Sequence, residues 1–372
     1  SLELDYVVDP QTSGFSDGGS VIINQNVGAP STVATLATTF PAGDNLLIGA
    51  VQITSSDTGN EYIPAGGLIL KRNAGGAVAS NEYLIPVSIN NYNNNYLFAA
   101  LDSGAGANQR YDLTAYSSAS VVRAEAKLTA ISGVTYKVAI DTGSVALTAG
   151  SDTTVGSVAT SFTAGANAII ASVQIDSNAA QNIAAGNIKL KDGDGTVLAS
   201  NEFAISFSVA GPTDIYNIPL LYYDTAGKAS ETYTVTVNSP GVANAETKII
   251  VFRPEGAEFS DGGSVALPSA TETSVTSITT AFPANSELLM VASIQTDDTD
   301  NSVETMAAGS GLRLEEDGVL MSANQNLFAA MAASGAAGDG ARHTLIYRKT
   351  PSAANSVWAL TGNANAAGLN AE

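Results

Sequence analysis

The chain has 372 residues, a formal net charge of −20 at pH 7, no cysteine and a single histidine. The missing cysteines exclude disulfides and thiol-metal sites, and one histidine cannot assemble a Ser-His-Asp triad or a multi-histidine metal site. Lys and Arg number 15 and form no cluster, so no basic surface for nucleic acid is predicted.

Charged residues make up 13% of the chain, well below the share of about 25% in ordinary globular proteins. The surface therefore relies on Ser, Thr, Asn, Gln and Gly, which suits surfaces that meet extreme pH, high salt or one another. No apolar run approaches the roughly 18 residues of a membrane-spanning helix. The opening residues 1–5 do not resemble a signal peptide, and we expect any leader to have been removed or left out.

One sequence pattern of about 120 residues occurs three times in the chain. Phe40-Pro41-Ala42-Gly43 precedes an apolar strand that ends in Gln52, and related phrases precede Gln174 and Gln295, so the glutamine moves by 122 and then 121 residues. A constant offset of domain length indicates tandem copies of a folded unit rather than a short solenoid repeat.

Other landmarks keep the same spacing. They are Ser16-Asp17-Gly18-Gly19 with Ser260-Asp261-Gly262-Gly263, Ser80-Asn81-Glu82 with Ser200-Asn201-Glu202 and then Ser322, and Ala124-Glu125 with Ala245-Glu246. We predict domains at 1–132, 133–253 and 254–361, followed by a C-terminal tail at 362–372. The joints are short and turn-like, so we expect a stiff rod of three domains.

Each copy is predicted to consist of β-strands. Tyr233-Thr234-Val235-Thr236-Val237 alternates apolar and polar residues, with Tyr233 on the inward face. Turn residues such as Asp192-Gly193-Asp194-Gly195 separate paired apolar segments and predict hairpins. The fold class is therefore all-β, with three tandem antiparallel β-sandwiches. Length favours the jelly roll over the immunoglobulin-like sandwich, although the pattern does not separate the two connectivities.

Few residues are candidates for chemistry. His343 lies near Tyr111 of the first copy in the repeat alignment and is interpreted as an ordinary strand residue. Asp192-Gly193-Asp194-Gly195 resembles the start of a calcium loop but lacks the required glutamate, since Phe203 stands there. The acidic stretch 297–301 is a weak calcium candidate, for which a solvated loop is the default interpretation. We predict no catalytic residue, no metal and no cofactor.

The most distinctive local segment is the Asn- and Tyr-rich stretch 90–96, which only the first copy contains. Amides beside tyrosine rings are typical of contact surfaces, including those that bind sugars, whereas a plain polar loop is the simpler interpretation. We name it as a possible partner-contact loop and expect it to be exposed. Its proposed contact residues are Tyr92, Asn93, Asn94, Asn95 and Tyr96.

The phrase Thr38-Thr39-Phe40-Pro41-Ala42-Gly43, a buried strand, a hairpin and the closing strand Ala126-Lys127-Leu128-Thr129-Ala130 together resemble the jelly-roll domains of viral surface proteins. Three such domains in one charge-poor, cysteine-free chain resemble the turret, or vertex-spike, proteins of turreted icosahedral archaeal viruses. That resemblance implies a capsid component on the virion surface, outside the cell, in a pentameric ring at a five-fold vertex. It further implies contacts with other capsid proteins and outer domains available to a host receptor or glycan, and it implies no catalytic residues.

Two other functions remain open. The chain could be a cellular surface-layer, pilus-associated or adhesin subunit, which predicts a secretion signal or anchor. It could instead be a carbohydrate-binding module, which predicts aromatic residues at a fixed loop of each copy, yet Tyr92 and Tyr96 have no clear counterparts. We rank the virion protein first, and an enzyme below all three.

Overall fold

The computed structural model describes residues 6–7, 13–55, 61–87, 94–119, 121–177, 179–207, 214–254, 256–298, 303–324, 328–331, 342–350, 354–366 and 368–372. All regular secondary structure in these ranges is β-strand, which confirms the predicted all-β class. No helix there is long and apolar enough to cross a membrane.

The strands fall into three sets that follow the sequence repeat. The first set is β2 (Ser13–Ile22), β3 (Ser31–Ala37), β4 (Gly43–Ser55), β5 (Glu61–Ile63), β6 (Leu68–Arg72), β7 (Ala77–Ser80), β8 (Ile85–Val87), β9 (Asn94–Ala105), β10 (Arg110–Ala115) and β11 (Val122–Ile131). The second set is β12 (Lys137–Asp141), β13 (Val145–Ala146), β14 (Asp152–Ala159), β15 (Asn167–Ser177), β16 (Gln181–Ile183), β17 (Ile188–Lys191), β18 (Val197–Ser200), β19 (Ile205–Phe207), β20 (Asp214–Asp224), β21 (Thr232–Asn238) and β22 (Asn244–Phe252).

The third set includes a strand from the other end of the chain. It consists of β23 (Val265–Leu267), β24 (Thr273–Thr279), β25 (Leu288–Asp298), β26 (Val303–Met306), β27 (Leu312–Glu316), β28 (Val319–Ala323), β29 (Phe328–Met331), β30 (Arg342–Lys349), β31 (Val357–Gly362), β32 (Leu369–Ala371) and the N-terminal β1 (Tyr6–Val7).

Strand pairing decides the connectivity that the sequence left open. The eight strands of each set that form its two four-stranded layers are lettered B to I in chain order. The first set then forms one sheet β2-β11-β4-β9, which is B-I-D-G, and another β3-β10-β6-β7, which is C-H-E-F. The second and third sets repeat both orders, and each adds a two-stranded sheet. This interleaving is the jelly roll, because every pair of consecutive strands except E and F lies in opposite sheets, and it differs from the immunoglobulin arrangement.

The two glycines of the Ser-Asp-Gly-Gly phrase lie where the backbone of strand B comes close to strand C. A Cβ on Gly18 would lie 2.1 Å from the carbonyl oxygen of Val33, so only glycine fits there. The next residue, Gly19, has φ of +62°, as does its counterpart Gly263. The aspartate that precedes them accepts the backbone N–H of the second glycine through Oδ1, as in Asp17–Gly19 at 3.2 Å.

Strand D is buried on both faces. In β4, Leu47, Val51 and Ile53 enter the core of their own sandwich, whereas Leu46 and Ile48 enter a separate cluster. That cluster joins the BIDG sheets of all three domains, with Ile170 from the second and Val291 from the third. The predicted rod is therefore wrong, because the domains pack side by side around a shared apolar centre.

The three G strands converge at this centre, where β9, β20 and β30 contact one another. Two aromatic contacts around it are equivalent. Tyr222 of β20 lies 5.4 Å from Phe259 of the third domain, and Tyr347 of β30 lies 6.1 Å from Phe15 of the first. Both tyrosines are on strand G and both phenylalanines precede the Ser-Asp-Gly-Gly phrase, so the arrangement approximates three-fold symmetry.

Two details of the repeat alignment are corrected by the pairing. Residues 362–372 are not simply a tail, because β32 is strand I of the third domain and pairs with β23 and β25. Ser322 is not the counterpart of Ser80 and Ser200. Those serines pair with the second residue of strand E, and in the third domain that partner is Ala323. We keep the domain boundaries near 132 and 253 as a proposal, and we extend the third domain to include β32.

Candidate functional site: the polar seam between the domains

The repeated glutamines lie between the domains, on the outer face of strand D. Gln52 pairs across the sheet with Glu125, and Gln174 pairs with Glu246. Gln295 exchanges two backbone hydrogen bonds with Glu372, so the Gln–Glu pairing recurs in all three copies. These side chains are buried by a sister domain rather than by their own core.

Gln174 shows what the glutamine does. Its Oε1 accepts the backbone N–H groups of Glu82 and Tyr83, both at 3.2 Å, and its Nε2 donates to the carbonyl of Tyr83 at 3.2 Å. The side chain of the second domain therefore holds the F–G loop of the first. Tyr83 also donates its hydroxyl to Ser144 of the second domain at 2.7 Å.

The asparagine of the Ser-Asn-Glu phrase builds that loop from within. Asn81 accepts the N–H of Leu68 at 2.8 Å and donates to the carbonyls of Pro64 and Tyr83, both at 2.7 Å. Asn201 makes the same three kinds of contact in the second copy, and Asn324 makes two of them in the third. The repeated glutamine and the Ser-Asn-Glu phrase therefore lie on the two sides of one contact between domains.

Three further hydrogen bonds cross between domains near the G strands. Asn217 accepts the backbone N–H of Leu97 at 2.9 Å, Asn95 donates to the carbonyl of Arg342 at 2.6 Å, and Arg342 donates to the carbonyl of Ala204 at 3.5 Å. Each joins a different pair of domains, so the seam has polar contacts on all three sides.

The proposed partner-contact loop is placed differently from expectation. Tyr92 and Asn93 lie outside the described residues. Asn94 begins strand β9, Asn95 is 9% exposed and faces the third domain, and Tyr96 is 2% exposed in the core of the first. Tyr96 packs on Phe98 with 4.7 Å between ring centroids. The expectation of exposure is wrong for Asn95 and Tyr96, because the strand begins earlier than the polar composition suggested.

His343 is buried at the seam between the first and third domains. It lies on β30, a G strand, so its alignment with Tyr111 of strand H is wrong, and Trp358 on strand H is nearer that position. Burial and then the charge of Lys127 lower the pKa of His343 to about 3. The histidine is therefore neutral at pH 7. It helps to line a cavity of about 10 Å³ together with Gln52, Glu125 and Lys127, which holds one water at most.

The acidic segments do not converge on a metal site. Asp192 accepts the backbone N–H groups of Asp194 and Thr196 at 3.0 and 2.8 Å, as expected of a hairpin turn. Asp297 lies within β25, and residues 299–301 of the acidic stretch are outside the described ranges. Within those ranges no three His, Cys, Asp or Glu side chains are grouped so that they could hold a metal ion.

A lysine, a glutamate and an aspartate meet twice on the outer face of strands B and I. Lys127 lies 2.5 Å from Glu125 and 3.2 Å from Asp17. Lys248 contacts Glu246 and lies 3.0 Å from Asp141. Both lysines are buried by sister domains. The repeat of Ala-Glu-x-Lys at 124–127 and 245–248 was the signal that could have identified this site.

Comparison with known proteins gives structural similarity without sequence similarity. No protein-family model matches the chain, and no curated protein matches it in sequence. Among solved structures, the atomic structure of Sulfolobus Turreted Icosahedral Virus is matched at 10% identity and a TM-score of 0.23, over 94% of this chain and 82% of the other. The triple jelly roll of an archaeal virus turret assembly gives the same values.

A subviral particle of infectious bursal disease virus is also matched, at 10% identity and a TM-score of 0.23, over 100% of this chain and 78% of the other. The structures that the sequence resemblance named are thus among those matched. At these TM-scores the matches carry no functional argument, and the jelly-roll assignment depends on the strand order described above.

Proposed function

We propose that the chain is a structural protein of a virus particle, built to make contacts rather than to catalyse. One observation carries this proposal: three jelly rolls bury their BIDG faces against one another and turn their CHEF faces outward. The shared centre contains residues of all three domains, such as Leu46, Ile170 and Val291. Burial of that apolar surface makes the three domains one rigid block.

The chemistry of the described residues supports the same conclusion. The cavity beside His343 is only large enough for a water, whereas small-molecule sites usually measure about 300 Å³ or more. The tyrosine networks, such as Asn167–Tyr233–Asp224 at 3.0 and 2.7 Å, join the two sheets of one sandwich. These polar groups therefore stabilise the packing of the block.

We further propose that the block belongs to a vertex turret on the virion surface, as a pentamer beside other capsid proteins. Partner contact, including contact with a host receptor or glycan, would use the outward CHEF faces. Val319, Leu320 and Val357 are exposed apolar residues at one end of the third CHEF sheet. They replace the segment 92–96 as the preferred contact residues, since Asn95 and Tyr96 are buried.

The test combines assembly with location. The purified chain is examined by light scattering and electron microscopy, and an antibody raised against it is used for gold labelling of virus particles and host cells. We expect five-membered rings and label at particle vertices. Label confined to the cell surface would instead support a surface-layer or adhesin protein, and a monomer with no particle label would refute the proposal.

A further inference from the structure

The two Lys–Glu–Asp clusters have the composition and geometry of a site that makes its own covalent cross-link. We propose that Lys127 and Asp17, and likewise Lys248 and Asp141, condense to intramolecular isopeptide bonds that join strand I to strand B. This inference is independent of the proposed viral function, since it concerns the chemistry of the folded chain itself.

The nucleophile and the electrophile face each other in both copies. Asp141 pairs directly with Lys248 across strands β12 and β22, and Asp17 with Lys127 across β2 and β11. The lysine Nζ lies 3.0 Å from Asp141 Oδ2 and 3.2 Å from Asp17 Oδ2. These contacts hold each aspartate carboxyl against the amine, which is the proximity that an intramolecular reaction needs.

The other aspartate oxygen is held by a backbone donor. Oδ1 of Asp17 accepts the N–H of Gly19 at 3.2 Å, and Oδ1 of Asp141 accepts the N–H of Gly143 at 3.3 Å. That N–H is aimed where negative charge would develop if the carboxyl carbon were attacked. Such a preorganised donor stabilises a tetrahedral intermediate in acyl transfer.

The glutamate is placed to carry the proton. Glu125 Oε1 lies 2.5 Å from Lys127 Nζ, and Glu246 contacts Lys248 in the same way. Burial raises the pKa of Glu125, so its carboxyl keeps a proton more readily than an exposed one. Burial lowers the pKa of the Lys248 ammonium, which favours the neutral amine that attack requires.

Sister domains cover both clusters. Thr344 and His343 of the third domain lie over the first cluster, and the second lies beside the contact of Gln174 with the F–G loop of the first domain. The lysine side chains are 6% and 2% exposed, against 43% and 53% for their aspartates. The amine is therefore withdrawn from solvent, while the released water has a way out past the aspartate.

The reaction balances without any co-reactant. The glutamate first carries one ammonium proton from Nζ to Oδ2, which leaves a neutral amine and a carboxylic acid. The Nζ lone pair then forms a bond to Cγ of the aspartate, and the charge that develops on Oδ1 is met by the glycine N–H. The glutamate carries a second proton from Nζ to Oδ2, the Cγ–Oδ2 bond breaks as the carbonyl at Oδ1 re-forms, and Oδ2 leaves as water with two of the three ammonium protons. The third proton stays on the new amide, and the glutamate is regenerated.

Intact-mass spectrometry of the denatured full chain tests the proposal. We expect the folded, purified protein to weigh less than its sequence by the mass of two waters, and fragmentation to find Lys127 joined to Asp17 and Lys248 to Asp141. Asp17→Ala and Asp141→Ala should each restore one water, as should Glu125→Gln and Glu246→Gln. Circular dichroism establishes that each variant is folded when its mass is measured.

Asp261→Ala is the matched control. Asp261 holds Gly263 N–H as its counterparts do, at 3.3 Å, yet no ion pair in the described part of the chain joins it to a lysine. This substitution should leave the loss of two waters unchanged. A folded wild-type protein at its full sequence mass would overturn the proposal, as would a loss that persists when Asp17 and Asp141 are both replaced. If the wild-type protein lacks the mass of one water, and substitutions in only one cluster restore it, the bond in that cluster is confirmed and the bond in the other is refuted.

Discussion

At the scale of single residues, equivalent positions keep a network even where the sequence around them has diverged. Asn45 donates to Tyr111, which donates to Asp102, at 2.7 and 2.8 Å. The second copy repeats this with Asn167, Tyr233 and Asp224. Burial raises the pKa of Tyr111 and Tyr233, so each phenol stays protonated and donates. The prediction that Tyr233 points inward is confirmed.

His343 gives a prediction about pH. The pKa of His343 is about 3 in the folded chain and about 6.5 in an unfolded one, so the unfolded state takes up a proton first as the pH falls. The contribution of the neutral histidine is complete above about pH 6.5 and is lost progressively towards pH 3, by roughly 1.4 kcal/mol per pH unit at most.

Urea unfolding of wild type and His343→Gln between pH 7 and pH 3 checks this. Glutamine is polar but does not titrate, so the variant should show a weaker loss of unfolding free energy over that window. Glu125 faces the same cavity and works in the opposite sense, since its raised pKa favours the folded state as it protonates. Parallel pH curves for the two proteins would contradict the assignment to His343.

At the scale of elements, the F–G loop of one domain and strand D of the next form a specific contact. The Gln174 amide satisfies three backbone groups of residues 82–83. Without it, those part-buried groups would lose their partners, at a cost of at most about 1–3 kcal/mol for each group left unsatisfied.

Gln174→Ala should therefore release this loop while the sandwiches stay intact. We expect hydrogen exchange at the amides of Glu82 and Tyr83 to quicken about tenfold or more, since about 1.4 kcal/mol corresponds to a factor of ten. Gln25→Ala is the control, because the exposed Gln25 donates to the carbonyl of Ser118 in its own domain. Unchanged exchange at Glu82 and Tyr83 would show that the glutamine does not hold the loop.

At the scale of the whole molecule, the apolar centre decides whether the chain is a compact block or three linked domains. Ile170 is buried among residues from the sister domains, not in its own core. A charge at this position would have to be desolvated without a partner, at a cost of several kcal/mol. The domains can avoid that cost by separating.

Ile170→Glu should accordingly open the block and preserve the individual jelly rolls. X-ray scattering should show a larger radius of gyration, while the far-ultraviolet circular dichroism remains that of β-sheet. Ile69→Glu is the control, since Ile69 is half-buried on the outward face of a CHEF sheet. Equal radii for the two variants would mean that the centre does not hold the domains together.

The third domain depends on both ends of the chain in this structure. Strand β25 pairs with β32 at Thr296 to Asp298 and with β1 at Leu288 and Leu289. Both β1 and β32 run antiparallel to β25. The two segments therefore run in the same direction and pair with different parts of β25. This joins the third domain to the first and completes the ring of contacts.

The sequence by itself determined the repeat, the β class and the inward phase of strands such as β21, because alternation and turn residues are local properties. It also marked the glutamines and the Ser-Asn-Glu phrase as special without revealing their use. Only the tertiary structure decided the jelly-roll order, the mutual packing and the burial of Lys127 and Lys248. The physical reason is that strand D is apolar on both faces, and alternation cannot tell which face meets its own core and which meets a sister domain.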